Sequence, residues 1–223
     1  MNNLCVLQLD TKFPRLPGDV ACRETFTENI RLVRIKNAYV KNIVSSRPEN
    51  RQFFRFKAEV CIAKEKIITT SCGFTYYWQN TLNSLTQSEV ITSALCCLNE
   101  QRKIFDDNQI LILTFDEKRI RTVINSRSAT PFKGHIGGLT NNDELYKAII
   151  NDSDYFSFQL VQKEMSTMLE NHLKEKDIKL LILECTNMVP FKKAFKDYFE
   201  GKIIDILTLI NEKIPGCVRP NFL

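Results

Sequence analysis

Three apolar segments in the first half of this chain recur in the second half, in the same order and at nearly one spacing. Leu4-Cys5-Val6-Leu7-Gln8-Leu9-Asp10-Thr11-Lys12 matches Ile110-Leu111-Ile112-Leu113-Thr114-Phe115-Asp116-Glu117-Lys118 at an offset of 106 residues. Lys66–Cys72 matches Lys179–Cys185, and Glu89–Thr92 matches Lys202–Asp205, both at an offset of 113. A single match between two buried strands is common by chance. Three in order predict two similar halves related by a pseudo-twofold axis. The runs are strand-sized and almost continuously apolar, the pattern of strands covered on both faces of a parallel sheet.

Helical spacing fills the gaps between these runs. Arg51–Lys66 places Phe53, Phe56, Val60 and Ala63 on one face. Gly73–Ser84, Ala94–Phe105, Asp116–Ser126, Asp154–Lys176, Val189–Phe199 and Ile206–Lys213 also read as helices. Arg31–Val40 alternates like a half-exposed strand, and Asn125–Leu139 reads as a loop with a strand inside it. Strands alternating with helices predict an α/β fold with mainly parallel sheets. The division expected is residues 1–98 with 202–223, carrying Cys72, and residues 99–201, carrying Cys185.

Several classes of function fall away. The longest apolar runs, such as Ile110–Leu113, are too short to span a bilayer. The first residues reach Asp10 with no basic segment before the apolar run, so no secretory signal is expected. Eight cysteines contain no C-x-x-C pair, and 223 residues suffice for a core without staples. These read as free thiols in a reducing compartment, hence a cytoplasmic protein. His135 and His172 lie at no ligand spacing from a cysteine pair, so no metal is expected. Residues 1–57 hold eleven Lys or Arg against five Asp or Glu, while the rest holds twenty against twenty-one. That basic third is a solvated face or a field for small anions. No motif for nucleic acid accompanies it.

The chemistry concentrates at two strand ends. In open parallel sheets, ligands bind outside the carboxyl ends of the strands. Cys72 and Cys185 occupy that position, one in each half, at the same 113-residue offset. Either alone would read as a small buried hydrophobe. If the halves face each other, the two thiols line opposite walls of one cleft. Each precedes a helix start, whose free N–H groups favour a thiolate or a substrate carboxylate. Ser71, Thr186 and Asn187 could add donors. Two such thiols suit stereoinversion, one removing a proton and the other delivering one to the opposite face, with both protonation states of sulfur accessible. No cofactor is required.

These residues carry a resemblance. Leu9-Asp10-Thr11-Lys12-Phe13-Pro14-Arg15-Leu16-Pro17-Gly18-Asp19, Thr69-Thr70-Ser71-Cys72-Gly73-Phe74, Leu183-Glu184-Cys185-Thr186-Asn187-Met188 and Asp205-Ile206-Leu207-Thr208-Leu209-Ile210 resemble the aspartate/glutamate racemase superfamily. The resemblance implies two Rossmann-like domains around a cleft and cofactor-independent racemisation of an amino acid, with Cys72 and Cys185 as the acid–base pair. It carries Asp10, Thr11, Arg15, Ser71, Gly73, Phe74, Thr186 and Asn187 over as substrate-binding residues. It also implies a small carboxylic-acid substrate and admits a homodimer. Two departures stand out: Val20-Ala21-Cys22-Arg23 follows Asp19, and Asn187 stands where glutamate racemases often place a histidine. Two other readings stay open: a covalent-cysteine isomerase of an unsaturated diacid, and a non-catalytic carboxylate- or partner-binding protein. Asp10 could instead end a strand or cap a turn, and Arg15 could be a surface charge.

Overall fold

A computed structural model describes residues 3–174 and 176–223. Among the described residues, eight strands form two four-stranded sheets. The first holds β1 (Leu4–Leu9), β2 (Arg31–Ile35), β3 (Ile67–Thr70) and β4 (Glu89–Ile91) in the order β2-β1-β3-β4. The second holds β5 (Ile110–Thr114), β6 (His135–Gly138), β7 (Leu180–Leu183) and β8 (Lys202–Ile204) in the order β6-β5-β7-β8. All six pairings are parallel. The internal repeat is therefore a repeat of topology: β1, β3 and β4 occupy the places of β5, β7 and β8.

Burial explains why these runs and no others form the sheet centres. Every residue of β1, β3, β5 and β7 is buried, while the edge strands β2 and β8 are partly open to solvent. At about 25 cal/mol per Å² of apolar surface, these fully buried strands contribute substantially to the core of each half. The strand expected within Asn125–Leu139 is β6.

The helices are α1 (Val40–Ile43), α2 (Asn50–Ile62), α3 (Gln79–Asn83), α4 (Leu98–Gln101), α5 (Glu117–Arg127), α6 (Glu144–Ile150), α7 (Phe158–Leu173), α8 (Lys192–Lys196) and α9 (Ile206–Lys213). Three predicted helices are in fact broken: Gly73–Trp78, Ala94–Cys97 and Thr186–Phe191 are 3₁₀ turns that lead into the short α3, α4 and α8. The expected strand Arg31–Val40 stops at Ile35, because Asn37 turns the chain with a φ of +61° and α1 follows.

One boundary is corrected. Lys202–Ile204 was assigned to the N-terminal half, but it hydrogen-bonds to β7 within the second sheet. The chain crosses back only at α9, which packs against β4. A buried ion pair marks the crossing: Lys192 Nζ of α8 donates to Asp205 Oδ2 at 2.7 Å, and Asp205 Oδ1 caps α9 by accepting from the Thr208 N–H at 2.9 Å.

Candidate active site

The carboxyl ends of β3 and β7 meet. Cys72 directly follows Ser71 beyond β3, and Cys185 follows Glu184 beyond β7. Both sulfur-bearing residues line one small cavity of about 30 Å³, together with Phe13, Arg15, Ser71, Gly73, Phe74, Glu184, Thr186 and Asn187. Cys72 is partly exposed and Cys185 is buried. A volume of that size holds a water or two and no amino acid.

Specific hydrogen bonds hold the two walls together. Thr186 Oγ1 donates to the Ser71 carbonyl at 2.9 Å. Arg127 reaches across to the Tyr77 carbonyl, also at 2.9 Å. Asp152 Oδ1 accepts from the Lys12 and Phe13 N–H groups at 2.6 and 3.3 Å. Gly18 has a φ of +100°, and a Cβ there would sit 2.9 Å from the Pro190 Cα, so only glycine permits this close approach between the halves.

Arg15 is the hub of the cleft. Its guanidinium donates to Asn187 Oδ1 (2.9 Å), Asp19 Oδ2 (3.1 Å), Thr11 Oγ1 (3.2 Å) and Ser71 Oγ (3.4 Å), and it lies over the Phe13 ring. Its Nε is buried without a partner. Arg15 is thus an interior group, not a surface charge. The segment 20–23 helps fix its counter-ion: the Ala21 N–H donates to Asp19 Oδ1 at 2.7 Å, and Val20, Ala21 and Cys22 are buried.

Most of the residues singled out in the sequence come together here. Arg15, Ser71, Cys72, Gly73, Phe74, Cys185, Thr186 and Asn187 line the cavity. Thr11 reaches it only through Arg15. Asp10 faces a neighbouring open groove with Tyr39, Lys41 and Asp152, and its Oδ2 accepts from the Asn37 N–H at 2.8 Å, which steadies the turn after β2. Among the described residues, no group of three His, Cys, Asp or Glu could hold a metal ion, and no helix is long and apolar enough to cross a membrane.

The thiols differ from expectation in one respect. Sequence suggested sulfur pKa values near neutrality, but burial pushes Cys72 up to about 12 and raises Cys185 strongly too. Nearby Glu184 pushes both further. Opposing this, the Phe74 N–H donates to Cys72 and the Asn187 N–H to Cys185, and Arg15 favours the Cys72 thiolate. Each turn after the cysteines is one 3₁₀ segment and a five-residue helix. Its local N–H groups therefore act on the sulfur more than any long helix dipole. Burial thus favours the thiol over the thiolate at both cysteines.

Glu184 is the polar cavity residue that the sequence reading missed, beside apolar ones such as Phe13 and Phe115. It is buried, its Oε2 accepts from Thr114 Oγ1 at 2.6 Å, and its Oε1 has no partner. Burial pushes its pKa up to about 7. Its available signal was a charge set between an apolar strand and a cysteine, where the other half has Ser71. Gly73 is shaped by it: a Cβ on Gly73 would overlap Glu184 Oε1 and lie 2.5 Å from the Glu184 carbonyl oxygen. Gly73→Ala is expected to destabilise the protein by about 1–3 kcal/mol, read by urea denaturation. A change under about 0.5 kcal/mol would mean that the two strand ends are less tightly joined.

No family model matches the sequence, and no curated protein matches it. Solved structures do match in fold. Allantoin racemase from Pseudomonas fluorescens superposes with a TM-score of 0.60 at 8% identity, over 97% of this chain and 93% of its own. Glutamate racemase from Bacillus anthracis gives 0.57 at 16% identity, over 97% and 84%. A mutant of arylmalonate decarboxylase gives 0.59 at 8% identity, over 98% and 97%. The chain shares the fold of these structures: two α/β domains, each built on a four-stranded parallel sheet.

Proposed function

We propose that the protein is a cofactor-independent racemase or isomerase that moves a proton at the carbon next to a carboxyl group. The observation that carries this reading is the lining of one interdomain cavity by Cys72 and Cys185 from equivalent strand ends. Racemases and a decarboxylase of the same fold support it.

In this scheme one cysteine, as thiolate, takes the α-hydrogen as a proton. The electron pair left on carbon delocalises into the carboxyl group. The opposite cysteine, as thiol, delivers its proton to the other face, and the two sulfurs end with exchanged protonation states. Burial raises both thiols, and the Arg15 charge opposes this at Cys72. The Asn187 amide and the N–H groups of the two turns are the donors for the developing charge. Ser71 and Thr11 act chiefly by holding Arg15.

A panel of L- and D-amino acids and related acids in D₂O tests the proposal: the true substrate exchanges its α-hydrogen and inverts. Arg15→Lys keeps the charge but loses the planar fork that meets four acceptors, so kcat/KM should fall by about 10–100-fold. An unchanged value would remove Arg15 from the site.

One observation favours a second reading, a carboxylate-binding scaffold without turnover. Asp19 already partners Arg15, the cation that would otherwise meet a carboxylate. Carboxylate binding by calorimetry with no exchange across the panel would select it. A thioether adduct found by mass spectrometry would instead select covalent isomerisation.

A further inference from the structure

The cavity contains one titratable side chain that the two-thiol scheme leaves without a task. Glu184 stands between the peptide after Cys72 and the start of Cys185, against Gly73. Its Oε2 accepts from Thr114 at the end of β5, and its Oε1 is buried against Gly73 without a hydrogen-bond partner, while the residue is one of those lining the cavity. The charged and titratable groups around this centre are Cys72 beyond β3, Cys185 beyond β7, and Arg15 with Asp19 from the N-terminal loop. The cation nearest the thiols, Arg15, is turned to Asp19, Asn187, Thr11 and Ser71. A buried carboxylate lacking a cation or a full set of donors is unstable relative to its acid.

We infer that Glu184 is a positioning residue that works as a neutral carboxylic acid, leaving the site free to hold one negative charge on Cys72 or Cys185, and that its ionisation suppresses the thiolates. This rests on the reading of the two cysteines as an acid–base pair, but its test needs no turnover. Below the pKa of Glu184 the thiols meet no carboxylate from it. As pH rises through about 7, the charge appears and opposes thiolate formation. Glu184→Gln keeps the shape and stays neutral.

The experiment is the pH profile of alkylation of Cys72 by iodoacetamide, read by mass spectrometry of its peptide in the full chain. In Glu184→Gln the midpoint should move to lower pH by about one unit, equal to about tenfold faster modification at a fixed pH above the ionisation of Glu184 and below both midpoints, with no difference where Glu184 is still protonated. Looser packing alone would speed modification at every pH and leave the midpoint in place; that result, or a midpoint moved upward, overturns the inference. A second readout covers the case in which Glu184→Gln does not fold. The wild-type protein should show the infrared band of a buried protonated carboxyl that disappears as pH rises through neutrality, and Thr114→Val should push that disappearance to higher pH. A wild-type spectrum without the band overturns the inference as well. Failure to find any racemised substrate would count against the proposed function and leave these two readouts standing.

Discussion

Racemisation is expected to fall by at least about 10³-fold in both Cys72→Ala and Cys185→Ala, since each removes a group that must hold or give a proton in the transition state. The two variants should fail differently. With one cysteine left, that sulfur can still remove the hydrogen from the enantiomer that faces it and return solvent deuterium to the same side. Each variant should therefore exchange the α-hydrogen of one enantiomer, the two variants choosing opposite hands, with no inversion in either. The measurement is proton NMR in D₂O beside chiral chromatography. Full racemisation by Cys185→Ala would discard the two-base scheme.

The second large effect is on stability. Lys192 and Asp205 are both buried and share one 2.7 Å contact. Lys192→Met should cost about 3–5 kcal/mol, because Asp205 then keeps a buried charge with no cation. That is a large part of the roughly 5–15 kcal/mol that holds a typical domain folded. Lys192→Met combined with Asp205→Asn should recover a good part of the loss, because the charge is gone and Asn still accepts from Thr208 at the start of α9. Urea denaturation followed by circular dichroism measures both. A single-variant cost below about 1 kcal/mol would show that the pair does not fasten the crossover.

The sequence was most legible where burial is complete. The central strands are unbroken apolar runs because both faces are covered, and their repetition exposed the paired strand ends before any coordinate was known. The two cysteine blocks were found for the same reason. Short pieces were lost: α1 and α6 give too few turns to display a period. The 3₁₀ turns after the cysteines looked helical because spacings of three and four overlap over six residues. β8 went to the wrong half although the 113-residue repeat that matches it to β4 already pointed to the second sheet. Glu184 and the raised thiols were invisible because desolvation depends on what lies across the cleft, as does the burial of Arg15.

The duplicated halves are alike in backbone and unlike beside the sulfur: serine precedes Cys72, glutamate precedes Cys185. For a racemase this has a kinetic consequence. Mirror-image substrates are equal in free energy, so the ratio of the forward and reverse kcat/KM is fixed at unity by thermodynamics, whatever the walls contain. The individual kcat and KM values are bound by no such equality. A polar left hand and an acidic right hand should bind the two forms with different strength and turn them over at compensating speeds, a lopsided machine with an even balance point.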